Sequence, residues 1–209
     1  MELRRRGILG FGSRSFRFAI GPAGLAVRHR GVDQSLPWPD IDALVLNQPL
    51  ASWGDQPLAP GVPLPLLVPA AGSAAARLPR TARHPIDGRP AVRLLDLNEV
   101  RESPDEVAEA LARHGGERFT DVRALQGKWV PAVDFTVAPR GYDIASVNRL
   151  IRDLRETLLR DGPEARCAAL EKISKARFEI ALRGYYREQV SELLATVSRR
   201  GTAAVAADE

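Results

Sequence analysis

Apolar and polar positions alternate along the first half of the chain. Phe16, Phe18 and Ile20 alternate with Arg17 and Ala19, Gly21-Pro22-Ala23-Gly24 supplies a turn, and Leu25, Val27 and His29 alternate on the return. A period of two on both sides of a Gly/Pro turn predicts a β-hairpin. The run IDALVLNQPL follows Pro37-Trp38-Pro39 and predicts another strand. A further strand is expected in VPLPLLVP, at a sheet edge because its prolines cannot donate to a ladder, and a last one in AVRLLDL, residues 91–97. A helix start is then spelled out: Ser103 as N-cap, Pro104 at the first helical position, and Glu106 completing a capping box. Val107, Ala108 and Leu111 give this helix one apolar face, and Gly115-Gly116 ends it.

The second half changes period. Over residues 143–200, Val147, Leu150, Ile151, Leu154 and Leu158 recur at helical spacing, and Val190, Leu193, Leu194 and Val197 repeat the stripe. Asp143 is a natural N-cap for the first helix, with Tyr142 before it and Val147 after it placed as a hydrophobic staple. Tyr186 stands where the capping Asp would be in the second, so that helix is expected to start less firmly. Pro163 opens a middle helix to about Ala176, with Cys167, Leu170 and Ile173 on one side and Cys167 expected as a small buried apolar residue. Residues 116–134 are polar and aperiodic and read as a linker, and the tail GTAAVAADE after Arg200 reads as disordered.

The two helical stripes belong to a longer duplication. FTVAPRGYDIASVNRLIRDL, from Phe135 to Leu154, aligns without a gap with FEIALRGYYREQVSELLATV, from Phe178 to Val197, at an offset of 43 residues. Phe, Ala, the tripeptide Arg-Gly-Tyr, Val and Leu are identical in the two copies. Such a period marks one supersecondary unit used twice. Gly141 and Gly184 sit just before a helix, where a sharp turn would use glycine's freedom at positive φ. The Phe and Tyr of each copy are expected to be core residues. The unit carries no catalytic chemistry, so it points to assembly or docking.

Composition narrows the reading further. A single cysteine excludes an internal disulfide and fits a reducing compartment. The start MELRRRGILGFGS is broken by glycines and Arg14 before an apolar core forms, so it is not a signal peptide. The 21 residues from Gln56 to Ala76 carry no charge, but prolines at 57, 60, 63, 65 and 69 exclude a membrane-spanning helix there. Twenty-seven arginines stand against three lysines, yet the net charge of +4 divides evenly between residues 1–115 and 116–209. Neither half is basic enough to announce nucleic acid. His29, His84 and His114 share no metal-ligand spacing with one another or with Cys167, so no metal is expected. Gly7, Gly10 and Gly12 match no dinucleotide or P-loop pattern, and no nucleophile–base set is recognisable. No enzyme activity, cofactor or small-molecule substrate is expected.

Phe-x4-Arg-Gly-Tyr followed by a helix with Val and Leu at fixed places resembles the lipid-binding motif of the DivIVA family, bacterial cell-pole and division-site scaffolds. The matching residues are Phe135, Arg140, Gly141, Tyr142, Val147 and Leu150, then Phe178, Arg183, Gly184, Tyr185, Val190 and Leu193. The resemblance implies contact with an anionic membrane or a membrane-bound scaffold through Arg140, Gly141, Tyr142, Arg183, Gly184 and Tyr185. In the family an aromatic residue before the arginine enters the membrane; here Pro139 and Leu182 hold that place, and leucine can insert shallowly where proline hardly can. Family members continue into long dimeric coiled coils. Here an offset of 43 residues lets a helix run out, the middle helix return, and the second copy start beside the first, reproducing a parallel dimer within one chain. Strands closed by one amphipathic helix over residues 1–115, with a Trp before a strand in LPWPDI, resemble a bacterial pleckstrin-homology-like domain.

The expected architecture is therefore α+β. It has a pleckstrin-homology-like β-barrel or sandwich over 1–115, a linker over 116–134, an all-α domain of two repeats over 135–200 (135–154 and 178–197), and a tail over 201–209. The expected role is a cytoplasmic adaptor, peripheral at the inner membrane face, with a protein partner or anionic lipid. A purely protein-binding module is the alternative, and nucleic-acid binding a third class.

Overall fold

The structure is a computed structural model that describes residues 1–5, 16–29, 32–51, 59–131, 134–160 and 162–207. Gly7, Gly10 and Gly12 lie outside the described residues. In chain order the strands are β1 (Glu2–Leu3), β2 (Arg17–Gly21), β3 (Gly24–His29), β4 (Val32–Pro37), β5 (Ile41–Asn47), β6 (Leu50–Ala51), β7 (Ala59–Pro60), β8 (Leu64–Pro69), β9 (Ala82–Arg83) and β10 (Pro90–Arg93). They are followed by α1 (Pro104–Gly115), β11 (Phe119–Asp121), α2 (Val122–Trp129), β12 (Val137–Tyr142), α3 (Ile144–Leu158), α4 (Pro163–Lys175), β13 (Ile180–Tyr185) and α5 (Arg187–Ala207). The protein is mixed α/β, and none of its small sheets is closed. Contacts divide it into one unit of Met1–Pro49 with Val62–Val122 and another of Leu50–Gly61 with Arg123–Glu209.

The first unit holds a four-stranded sheet in the order β1-β2-β3-β4 and a five-stranded sheet in the order β11-β5-β8-β10-β9. The β2–β3 hairpin follows the alternation in the sequence, with Phe18 opposite Val27 and Ile20 opposite Leu25. Phe18, Ile20 and Leu25 share one core with Leu44, Leu46, Leu67 and Val92 of the other sheet and with Val107 and Leu111 of α1. The capping box forms as written: Ser103 accepts from the Glu106 N–H at 3.2 Å while the Glu106 carboxylate accepts from the Ser103 N–H at 2.7 Å. Trp38 is buried ahead of β5, and its indole donates to the Gly21 carbonyl at 3.0 Å.

Several expectations are corrected. The strand β8 is not an edge; it lies between β5 and β10. Pro69 ends the β5 register, Pro65 lies one residue inside its other end opposite Leu46, and only Leu66 and Leu67 pair with β10, so no missing N–H interrupts the β10 ladder. The barrel does not close. Residues 116–134 are not simply a linker, because β11 adds in parallel to β5 and α2 follows at once. Trp129 and Val130 are buried in the core of the second unit. Arg200 donates to the Gly127 and Lys128 carbonyls and Arg155 to the Val130 carbonyl, satisfying groups a helix end leaves open.

The second unit is not all-α, since it contains the paired strands β12 and β13 and the short β6–β7 ladder. The tail is not disordered through residue 207, because α5 runs 21 residues to Ala207. Gly201 is buried so closely on α4 that a Cβ there would lie 3.3 Å from Leu170 Cδ2, and Ala204 packs on the same core. Cys167 is exposed rather than buried, because α4 turns Arg166 and Ala169 inward instead. No described helix is long and apolar enough to cross a membrane.

Candidate docking site at the crossed repeat loops

The two repeats are interlocked. β12 and β13 pair in a parallel ladder whose register shifts at every step: Tyr142 faces Tyr185, yet Val137 also lies opposite Tyr185 and Tyr142 opposite Ile180. This is the pattern of two segments that cross, not of a regular two-stranded sheet. The contacts are reciprocal between equivalent positions. The Asp143 N–H donates to the Glu179 carbonyl at 2.9 Å, and the Tyr186 N–H donates to the Thr136 carbonyl, also at 2.9 Å. Asp143 and Tyr186 are one repeat offset apart, as are Thr136 and Glu179. The aromatic pairs obey the same exchange: Phe135 packs tilted against Tyr185 at 4.7 Å between ring centroids, and Phe178 against Tyr142 at 5.1 Å. Such self-complementary contacts define a two-fold interface, made here by one chain with itself.

The glycines shared by the two copies sit where the backbones cross. A Cβ on Gly141 would lie 2.4 Å from the Tyr185 carbonyl oxygen and 2.5 Å from the Gly184 carbonyl carbon; one on Gly184 would lie 2.3 Å from the Tyr142 carbonyl oxygen. Neither glycine has a positive φ, which corrects the expectation of a left-handed turn. The left-handed residue is Arg140, at φ 57°, which bends the first loop into the crossing.

The seven residues singled out from sequence divide into two groups. Gly141, Gly184 and Tyr185 are buried and Tyr142 is half-buried, so these four build the crossing and do not present a surface. The Tyr185 hydroxyl donates to the fully buried Asn148 Oδ1 at 2.8 Å, tying the second loop to α3. Arg140, Arg183 and Leu182 are exposed, and Leu182 reaches 91%. Ile180 at 57% and Tyr186 at 47% lie exposed on the same loop. Met1 apart, these three are the only large apolar residues so exposed among the described residues.

Ile180, Tyr186 and Arg187 are not among the identities between the repeats, so the shared motif does not point to them. They are legible in the differences, where Val137, Asp143 and Ile144 hold the equivalent places. In the first repeat the Asp143 carboxylate accepts from the Ser146 N–H at 2.8 Å and caps α3. Hydrogen bonds from the Ser146 side chain and backbone hold that carboxyl below its ordinary range. In the second repeat nothing acidic stands there. Among the described residues Arg140, Arg183 and Arg187 take part in no ion pair. No group of three His, Cys, Asp or Glu could hold a metal among them either.

No family model, curated protein or solved structure matches this chain.

Proposed function

We propose that this chain is a non-enzymatic adaptor that docks on an anionic membrane surface at the cytoplasmic face through the crossed repeat loops. The observation that carries this reading is Leu182, 91% exposed beside Arg183 on a loop whose base is fixed by buried glycines. A large apolar side chain held out on a rigid support gains only when something covers it. Covering a leucine contributes about 2 kcal/mol, and each arginine near an anionic bilayer about 1 kcal/mol. Leu182 with Arg140, Arg183 and Arg187 thus gives about 5 kcal/mol, a dissociation constant between millimolar and micromolar. Such docking is reversible and salt-sensitive, which suits an adaptor that also binds a membrane-bound scaffold of the division site or pole.

The first unit is read as a pleckstrin-homology-like module. Strands followed by α1, and Trp38 packed ahead of β5, support this reading. In this role it offers the protein-binding surface while the repeats touch lipid.

Vesicle flotation tests the reading, with anionic and neutral liposomes at low and physiological salt. Wild type is expected to float with anionic vesicles at low salt. Leu182→Asp and the double variant Arg140→Glu/Arg183→Glu are expected to remain behind. A wild type that ignores anionic vesicles would remove lipid from the account and leave a purely protein-binding module.

A further inference from the structure

The crossing of the loops builds a groove of about 630 Å³ lined by Pro139, Arg140, Ile180, Tyr186, Arg187 and Glu188. Its two arginines come from different repeats and meet there only because β12 crosses β13. Ile180 and Tyr186 supply half-open apolar walls. Glu188 is the single carboxylate among those lining residues, so two arginines stand against one acid in the lining.

The pseudo-two-fold provides an internal control. Shifted by one repeat, the equivalent groove would be lined by Leu182, Arg183, Val137, Asp143, Ile144 and Ala145. There an acid replaces Tyr186 and an isoleucine replaces Arg187, so that side keeps one arginine and carries its own carboxylate. The charge is thus one-sided, and the differing residues are the ones that make it so.

We infer that this groove is a headgroup subsite: the phosphate of an anionic phospholipid sits between Arg140 and Arg187, with the glycerol carbons against Ile180 and Tyr186. The planar fork of arginine suits phosphate oxygens in a way a point charge does not, and charge-assisted bonds of this kind are the stronger ones. Leu182 inserts beside the subsite; Arg187, which lies outside the motif, selects the phosphate. The inference rests on the membrane reading above and adds to it a defined place for one lipid.

The test uses the isotope-labelled full chain titrated with sn-glycerol 3-phosphate, glycerol as the neutral control, and flotation on phosphatidic acid vesicles in parallel. Glycerol phosphate is expected to shift amides of residues 138–141 and 180–188 saturably, where glycerol does not. Arg187→Gln is expected to weaken that binding about tenfold and flotation several-fold. Leu182→Asp is expected to lose flotation and keep the shifts. Shifts that are absent, unsaturable, or unchanged in Arg187→Gln overturn the subsite even where flotation persists, and leave general docking intact. Saturable shifts without any flotation overturn the lipid as occupant and the membrane reading with it.

Discussion

A methyl group on Gly141 would meet backbone atoms of Gly184 and Tyr185 at 2.4–2.5 Å. Backbone cannot rotate away as a side-chain end can, so the loops would have to separate. Gly141→Ala is expected to cost about 3 kcal/mol, the upper end for overpacking, read as a lower urea midpoint. Arg140 behaves oppositely. An L-residue in the left-handed region carries about 1 kcal/mol of strain, so Arg140→Gly is expected to raise stability by about that amount while weakening flotation. A variant that loses both would show that the arginine side chain also supports the fold. Sequence showed which residues matter at this scale but not why. Arg-Gly-Tyr stood out as an identity, yet the need for glycine arises from a segment 43 residues away. Cys167 was misplaced for a related reason: α4 is weakly amphipathic by sequence, and its inward face is set by Trp129, over which Arg166 lies at 5.3 Å.

At the level of elements, local signals were legible and neighbour-dependent ones were not. The capping box of α1 and the Asp143 cap of α3 are short-range chemistry and appear as read. The central place of β8 depends on prolines falling outside its pairing with β10, which only the register reveals. The length of α5 depends on Gly201 and Ala204 meeting α4, although the local sequence is small and weakly patterned. The start of α5, where Tyr186 stands in the place of the capping Asp143, leads to a prediction. Tyr186→Asp restores the first repeat's cap and is expected to stabilise α5 by about 1 kcal/mol. It also puts a carboxylate in the groove beside Arg187, so glycerol phosphate shifts are expected to vanish. A variant stabilised in thermal melts that still binds the phosphate would count against the groove.

For the whole molecule, acid is the relevant stress. Burial pushes the His84 imidazole below its ordinary value of 6.5, against the Asp87 carboxylate 2.9 Å away, which opposes the shift. A depressed histidine contributes stability above pH 6.5 that is lost as pH falls toward its folded value. Glu102 is held low despite burial, by hydrogen bonds from the Arg4 backbone and side chain, and Asp143 is low through Ser146. Their contributions hold above the ordinary carboxylate values of 4.5 and 3.8 and fade below them. Melting temperature is therefore expected to fall in two steps on acidification, and His84→Gln is expected to flatten the upper one. The chain also passes between its units three times, since Leu50–Gly61 belongs with Arg123–Glu209. Leu50 packs on the second core, so a fragment beginning at Arg123 is expected to melt lower than the full chain. Composition offered no hint of this, because residues 50–61 fell within the β domain expected over 1–115.

The crossing also sets a schedule for synthesis. Tyr142 cannot find Phe178 until 36 further residues have been made, nor Phe135 find Tyr185 until 50 have. At 5–20 residues per second, that is a delay of about 2–10 s on the ribosome. Throughout it the first repeat stands half-built, its aromatic rings and the stripe of α3 uncovered. During that window the nascent chain is open to capture by chaperones, or by the matching repeat of a neighbour on the same messenger.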